Sequence, residues 1–470
     1  MSVEAPLGAT PQSGAFDLTT PATVAESSRS LSVARPLAWR AHLALAAVPI
    51  LGLVLCVAGT HTNLLVPESI QPVTATPMAG PFKYIGFTLG APAVVAVIVM
   101  LFSSYLLTMK WVEQISLRTV IWAVLALNVI VLIGPPLFST DVFSYQAYGR
   151  MLALYHTNPY LHGPYAIQMD PVYNYIGAKW IDTPSVYGPL FTLISGAFAS
   201  VSISASEFAF KLIAAFASGG TLYLLWKAAK LRGLNPVRSV ALFGLNPLVT
   251  LYGVGGGHND LLMLLLTTWG VYAVLNHRER AAGALISAGA AIKLTGGVVF
   301  PFALLSGVKL DAPKRRRGIV IGGAAVAVVI AGASAAVFGT GILHMPSTLQ
   351  NVQDQGAWQS IPGFLFAVVQ MKVTGGMRLF VDVLLVGSVL WLLWLVWQGK
   401  MDWIDGAAWA TFVVLVTAWA MLPWYVAWML PLVALGTSRR LWRAAMFMTL
   451  VAGAMMIAEM FPNGLHFLNH

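Results

Sequence analysis

The 470-residue chain has few charged residues and almost no cysteine. Only 9% of its residues are Asp, Glu, Lys or Arg, whereas 58% are hydrophobic. A soluble globular protein carries about 25% charged residues, so this chain has too few to cover a water-exposed surface. Its single cysteine, Cys56, excludes an internal disulfide, a cysteine-based zinc site and an iron–sulfur cluster. The composition therefore excludes a soluble enzyme and indicates an integral membrane protein.

The excess of positive charge is distributed as in a polytopic membrane protein, and we expect no nucleic-acid partner. The 27 Lys and Arg residues outnumber the 17 Asp and Glu residues, which gives a net charge of +10. The basic residues stand in short clusters between apolar runs, and such clusters collect in cytoplasmic loops. Arg35 and Arg40 therefore place the N-terminus in the cytoplasm. Residues 1–38, rich in Ser, Thr, Ala and Pro, are expected to be a disordered tail.

Residues 39–470 are expected to form one transmembrane domain in the plasma (inner) membrane. A helix that crosses a bilayer needs roughly 20 mostly apolar residues, and no A-x-A-like cleavage site follows the first apolar run. The predicted spans are 41–59, 84–107, 119–138, 207–226, 239–255, 260–276, 318–339, 376–397, 406–422, 424–437 and 443–460. The fold class is an all-α bundle of about 11–13 transmembrane helices. With the basic clusters inside, the polar segments 60–82, 139–187 and 340–375 lie on the outer face.

Two apolar stretches break the alternation of inside and outside loops if they are counted as full spans. Residues 188–203 are therefore predicted to be an interfacial helix, which makes 139–203 an outer loop that carries the chemistry. Residues 283–307 lie between two cytoplasmic clusters, so they must enter the membrane and return as a broken, re-entrant hairpin that turns near Lys293. Non-helical backbone at that depth is tolerated only where it is buried in protein or lines a cavity.

The outer segment DVFSYQAYGRMLALYHTNPYLHGP concentrates hydrogen-bonding side chains. Asp141 is the first residue of this segment and is the candidate catalytic carboxylate. The alternative is that Asp141 is a solvated loop residue or a cap for a helix that starts at Val142. Tyr145 and Tyr148 follow at near-helical spacing, and they either bind a sugar or anchor the chain at the interface. Arg150 is a candidate contact for an anion such as a phosphate, or a cation that snorkels to the interface.

The motif GGGHND at 255–260 follows the fifth predicted span. Asn259 and Asp260 are expected to cap the next helix, and we also count them as candidate sugar or acceptor ligands. His258 has no evident structural role, so it is a candidate phosphate ligand, although a lone histidine is often satisfied by a carbonyl group. This motif therefore has a structural and a functional interpretation.

Lys293 is the most unusual basic residue because it lies inside an apolar hairpin, far from either cytoplasmic cluster. A charge in such a place usually faces a cavity or pairs with another group. It is a candidate contact for a ligand phosphate, and the alternative is a structural pair with Asp382 or Glu459.

Aromatic residues near the outer boundary are the remaining candidates for sugar binding. Tyr187 lies in a turn that starts the interfacial helix, and Trp358 lies in the polar segment QNVQDQGAWQSIPG. Trp424 and Tyr425 belong to LPWYVAWMLP, in which Trp428 is predicted to be a membrane-belt residue. No metal-binding motif such as H-x-x-x-H or D-x-D stands near the outer face, and we predict no metal site and no cofactor.

At these positions the sequence resembles the GT-C superfamily of polytopic glycosyltransferases, over roughly residues 119–440. The resemblance rests on Asp141 after a span, on the Tyr187-Gly188-Pro189-Leu190 turn, on the Glu207/Lys211 entry to the next span and on the broken IKLTGG hairpin. Within the superfamily, the segment that begins at Asp141 resembles the polyprenol-phosphate-mannose-dependent α-1,6-mannosyltransferases of actinobacterial lipomannan assembly. The sequence departs from many members in that Val142, not a second acid, follows Asp141.

The resemblance implies an inverting transfer of mannose at the extracytoplasmic membrane face. The donor would be polyprenyl-phosphate mannose, the acceptor a mannan or lipoglycan, and membrane lipids would surround the carrier's tail. Asp141 would act as general base and would take the proton of the acceptor hydroxyl. Arg150, Lys293 and His258 would stabilise the phosphate that leaves.

Two other classes of protein remain open at this stage. A secondary transporter or a lipid flippase could also use a broken hairpin and an embedded lysine, although such folds usually show matched halves. A scaffold without catalysis would leave the polar cluster around Asp141 without a purpose. Within the transferase hypothesis, other sugars, among them arabinofuranose, glucose and galactose, and a protein acceptor remain open.

Overall fold

The structure is a computed structural model that describes residues 38–307, 312–354, 360–371 and 373–461. Residues 1–37 of the predicted tail, and Trp358, lie outside these described residues. The described chain has no strand, and its helices are α1 Ala38–Gly59, α2 Ala91–Lys110, α3 Leu117–Ile133, α4 Asp141–Ala153, α5 Pro189–Gly196, α6 Ile203–Leu231, α7 Pro236–Gly244, α8 Asp260–Leu275, α9 Glu279–Ile292, α10 Val299–Leu304, α11 Ala312–Phe338, α12 Met345–Asp354, α13 Ile361–Val368, α14 Gly375–Trp397, α15 Trp403–Thr417, α16 Leu430–Leu435 and α17 Arg439–Glu459.

Several long helices begin at side-chain caps that the sequence encodes. Ser202 accepts a hydrogen bond from the amide of Ala205 at the start of α6, and Ser438 accepts one from Leu441 at the start of α17. These bonds satisfy amide groups that have no partner within the helix. Inside the bundle, α9 packs between α8 and α11, while α8 also packs on α6. The hairpin that contains α9 is thus held in the interior.

The all-α, multi-pass membrane class is confirmed. Six helices in the described chain are long and apolar enough to cross a membrane, and the bent pair of α7 with Leu248–Val254 makes up to seven. Five shorter apolar helices, of 10–17 residues, coincide with other predicted spans or with the hairpin. In the described residues, six or seven of the predicted spans are thus long and apolar enough to cross a membrane as single helices.

The outer surface of the long helices explains why the chain needs a bilayer. Only 17% of the most apolar part of α14 is buried inside the protein. Leu379, Phe380 and Trp391 of that helix all point outward and are more than half exposed. Exposed apolar area on this scale is a liability in water but is covered at no cost by lipid tails.

Two predicted irregular segments have the expected form. The helix predicted at 188–203 is the shorter α5, and the predicted hairpin is α9, a tight turn Leu294–Val298 and α10, with its break at Lys293. The third predicted span ends earlier than expected, because Pro135 and Pro136 cannot continue α3 beyond Ile133. Residues 134–140 therefore form a non-helical connection between α3 and α4.

Candidate active site

One cavity brings together five of the candidate residues, namely Asp141, Tyr148, Tyr187, Lys293 and Tyr425. Its volume is about 470 Å³, and its walls come from the start of α4, the loop before α5, the hairpin, α12 and the segment before α16. Its polar and aromatic lining consists of Asp141, Ser144, Tyr148, Lys179, Trp180, Thr183, Tyr187, Lys293, Thr295, Gln353, Tyr425 and Trp428. A cavity of this size and composition suits a sugar with its phosphate.

Asp141 is the carboxylate of this cavity. It is the first residue of α4, and its backbone N–H donates to the hydroxyl of Ser139 at 3.2 Å. The predicted alternative, a cap for a helix from Val142, is wrong because Thr140 stands at that position. The side chain is 14% exposed, and burial raises the pKa of Asp141 above the usual carboxyl value. Burial thus makes this carboxylate a stronger base than one in water.

The neighbours of Asp141 modify that pKa in both directions. Electrostatic attraction from His258 and Lys293 lowers the pKa of Asp141, and a hydrogen bond from Tyr187 lowers it further. Asp260 raises it by like-charge repulsion, but burial remains the largest effect. Asp141 is therefore part of a charged cluster and not an isolated loop acid.

His258 lies behind Asp141 and does not line the cavity. Its Nδ1 atom is 3.8 Å from Oδ2 of Asp141 and 3.7 Å from Oδ2 of Asp260, and its side chain is fully buried. Trp424 packs edge-on against the imidazole ring at 4.4 Å. The chain can reach this place because Gly257 adopts a φ of +65°, which favours glycine. The predicted contact between His258 and a phosphate therefore does not fit this geometry, whereas support of Asp141 does.

Lys293 lies in the cavity wall and is paired with Asp260. Its Nζ atom is 2.8 Å from Oδ1 of Asp260 and lies over the rings of Tyr425 and Trp428, which stack on each other. The indole N–H of Trp428 donates to the same carboxylate oxygen. Trp428 is therefore buried and anchors Asp260, and its predicted place in a membrane belt is wrong.

The partner of Lys293 differs from both acids that we expected. Asp382 is an exposed residue of α14 and makes no ion pair with this lysine in the described chain, and the carboxylate at bonding distance belongs to Asp260 instead. Asp260 and Asn259 also differ from their predictions, since neither side chain caps α8. Both residues lie in the layer behind the cavity, where they cannot reach a sugar directly.

The aromatic candidates divide between the cavity and the layer behind it. Tyr148 and Tyr187 line the cavity, and Tyr148 is held by donating to the carbonyl oxygen of Thr183 at 2.7 Å. Tyr145 is buried, donates to Asn259 Oδ1 at 3.4 Å and packs edge-on against Tyr187 at 4.8 Å. Tyr145 and Trp424 thus shape the cavity from behind, and Tyr425 is in its wall.

Arg150 is not brought to the cavity. Its guanidinium group pairs with Asp170 at 3.0 Å and donates to the carbonyl oxygen of Val201 at 3.0 Å. Asp170 also accepts from the hydroxyl of Tyr155 and from the amide of Val172. Arg150 therefore ties the end of α4 to the outer loop, and its predicted role as a phosphate ligand does not fit this position.

Sequence reasoning missed several residues that line the cavity, above all Lys179, Trp180 and Gln353. Lys179 and Trp180 lie in a short turn whose sequence resembles any exposed loop. Gln353 lies in α12, where its side-chain carbonyl oxygen accepts from the amides of Trp419 and Ala420. In the ranges that the structure describes, no group of three or more His, Cys, Asp or Glu side chains could hold a metal ion. Independence of a metal stays a prediction.

Together these features define a polytopic membrane protein with a carboxylate, cations and aromatic rings around one cavity. Residues 46–309 match a family model described as alpha-(1->6)-mannopyranosyltransferase, N-terminal domain, and residues 186–458 match glycosyltransferase family 87. The first match covers more than half of the chain. The chain belongs to the alpha-(1->6)-mannopyranosyltransferase family.

Individual relatives carry the same name. The chain is 29% identical to alpha-(1->6)-mannopyranosyltransferase A of Mycobacterium tuberculosis, over 68% of this chain and 65% of that protein. It is 26% identical to alpha-(1->6)-mannopyranosyltransferase A of Corynebacterium glutamicum, over 66% of this chain and 69% of the relative. The chain thus spans about two thirds of the length of these curated relatives. No solved structure matches it significantly.

Proposed function

We propose that this protein transfers mannose from polyprenyl-phosphate mannose to a mannan or lipoglycan acceptor. The names of the relatives support the sugar and the α-1,6 linkage. The observation that carries the chemistry is the position of Asp141, a carboxylate that opens into a polar and aromatic cavity in an apolar protein. A bilayer-embedded enzyme with such a cavity can hold the lipid tail in the membrane and the sugar in the cavity.

In the proposed reaction, the acceptor oxygen attacks the anomeric carbon of mannose as the bond to the phosphate oxygen breaks. Asp141 takes the proton of the attacking hydroxyl, and the electron pair of the broken bond stays on the lipid phosphate. A single displacement inverts the anomeric centre, so a β-linked donor gives an α-mannoside. This scheme needs one carboxylate and no covalent sugar–enzyme intermediate.

The layer behind the cavity supports this role of Asp141. Asp260 and its two partners, Lys293 and Trp428, hold the wall in place, and His258 stands between both carboxylates. A base that is fixed by such packing is already oriented toward its substrate. We further propose that the cavity opens on the extracytoplasmic side of the inner membrane, because the basic clusters of the chain mark the opposite side.

The test is transfer of radiolabelled mannose by the purified protein in vesicles that contain polyprenyl-phosphate mannose and a short mannoside. Asp141→Asn removes the base without changing the size of the side chain. We expect it to lower kcat by about 10²–10⁴-fold, which is the usual contribution of a positioned proton acceptor. Asp182→Asn, at an exposed acid of the same outer segment, is the matched control and should retain wild-type activity.

Two results would contradict the proposal in different ways. Transfer by Asp141→Asn at the wild-type rate would show that another group is the base. Movement of a solute across the vesicle wall, with no consumption of the lipid-linked sugar, would identify a transporter. The same assay with a chelator tests the prediction that no metal is needed.

A further inference from the structure

The inner wall of the cavity is unfavourable for a phosphate group. It holds the carboxylates of Asp141 and, directly behind the wall, Asp260, against the single ammonium group of Lys293. Lys293 is already neutralised by Asp260 at 2.8 Å. A lipid phosphate carries at least one negative charge, which rises toward two when the sugar leaves. Repulsion by Asp141 would therefore keep the phosphate away from this wall.

The cavity also has a cation without such a partner. Lys179 is exposed and lines the cavity, and no carboxylate in the described chain lies within 4 Å of its ammonium group. Its Nζ atom lies 5.2 Å from the centre of the Trp180 ring, which also lines the cavity. The ring gives the ammonium group a preferred position and leaves it free to bind an anion.

The turn that carries Lys179 is fixed beside the catalytic carboxylate. Within this turn, the backbone N–H of Trp180 donates to the carbonyl oxygen of Gly177 at 2.8 Å. Gly177 in turn packs against Thr140, the residue before Asp141; a Cβ atom at this glycine would lie 3.0 Å from the Thr140 hydroxyl oxygen. The turn that carries Lys179 is therefore packed against the start of α4.

We propose that Lys179 binds the phosphate of the lipid-linked donor and stabilises it as it leaves. This inference rests on the proposed function and adds the cation that the reaction requires. In an inverting displacement the phosphate leaves from one face of the anomeric carbon while the acceptor hydroxyl attacks the other, so Lys179 would hold the leaving phosphate and Asp141 would take the proton of the hydroxyl. Because the phosphate gains charge in the transition state, Lys179 stabilises that state more than the bound donor.

Lys179→Gln removes the charge and keeps a side chain of similar reach. We expect it to weaken binding of polyprenyl phosphate by about 10–100-fold, the usual range for one hydrogen bond to a charged group. It should also raise the KM for the donor and lower kcat, while the KM for the acceptor stays unchanged. Lys179→Arg should restore most of the binding because it retains the charge.

Lys83→Gln is the matched control. Lys83 also lies over a neighbouring ring, that of Tyr84, at 5.8 Å, but it does not line the cavity. Its replacement should change binding of polyprenyl phosphate less than twofold. An uncharged polyprenol of equal length should bind wild type and Lys179→Gln alike, and inorganic phosphate should compete only where Lys179 is present.

The binding and activity measurements separate two kinds of failure. If Lys179→Gln binds polyprenyl phosphate as wild type does, the assignment of Lys179 is wrong. A change confined to the KM of the acceptor would also overturn it, because the charge would then serve the other substrate. If wild type binds polyprenyl phosphate through Lys179 but transfers no mannose, the phosphate site stands and the proposed function fails.

Discussion

At the scale of single residues, the site depends on how Asp141 is surrounded. The residue stands at the start of a helix, where the helix dipole favours the ionised carboxylate, yet burial opposes ionisation. Burial is the larger effect, so the pKa of Asp141 is raised. A carboxyl group in this state can accept a proton from a sugar hydroxyl more readily than an exposed one.

The raised pKa predicts the pH dependence of the reaction. The ionised form is the active base, so activity is lost as the pH falls through the pKa of Asp141. This acidic limb of kcat/KM should lie above the usual carboxyl value of about 3.9. His258→Gln removes a neighbour that lowers the pKa of Asp141, so the limb should move to higher pH. A pH profile of both proteins measures this, and a limb at the ordinary value, unmoved by the substitution, would contradict it.

The sequence identified residues whose surroundings along the chain are unusual. Asp141 follows a span, Lys293 interrupts an apolar hairpin, and Tyr187 opens a helix-starting turn, and all three line the cavity. The sequence around Lys179 and Trp180 has no such unusual feature. These two residues reach the cavity only because the chain folds their turn against it. Arg150 looked like a phosphate ligand because its partner, Asp170, is 20 residues away in an irregular loop whose fold is not visible in a periodic pattern.

At the scale of elements, the turn before α5 and the hairpin form one support for the cavity. The amide of Gly188 donates to the carbonyl oxygen of Ile292 at 3.0 Å, immediately before Lys293. This hydrogen bond joins the Tyr187 side of the cavity to the Lys293 side. The sequence predicted both segments, but it could not show that they touch, because more than 100 residues separate them.

This contact predicts that Gly188 has a steric role. A Cβ atom at Gly188 would lie 2.1 Å from the backbone oxygen of Ala291, so Gly188→Ala must push the turn and the hairpin apart. We expect at least a tenfold loss of activity and a lower melting temperature, since the backbone cannot yield without cost. Gly196→Ala in the same helix is the control, because its nearest contact would be a leucine side chain at 3.4 Å. Equal activity of the two variants in the transfer assay would contradict the inference that the turn before α5 and the hairpin together support the cavity.

At the scale of the whole molecule, the membrane class could be predicted from composition alone. The positions of the predicted spans agree with helices in the structure, because long apolar runs are the strongest signal that a sequence gives. The ends of the spans were less predictable. Pro135 ended one helix early, and several apolar helices are too short to cross a bilayer by themselves.

The proposed orientation predicts which surfaces a membrane-impermeant thiol reagent reaches. Met169 is 91% exposed in the outer segment, and Lys314 is exposed beside a basic cluster. Met169→Cys should be labelled in intact cells, whereas Lys314→Cys should be labelled only after the membrane is opened. Cys56 is buried and is the only native cysteine, so the unsubstituted protein should give no signal. Labelling of Lys314→Cys in intact cells would show that the protein has the opposite orientation in the membrane.

The shared oxygen of Asp260 has a practical consequence for engineering. Three separate parts of the chain, α8, the hairpin and the segment that ends in Trp428, meet at this one atom, behind the wall that holds Asp141. A hybrid with a related protein should therefore take all three parts from the same parent, because a mismatch in any one of them would disturb the wall behind Asp141.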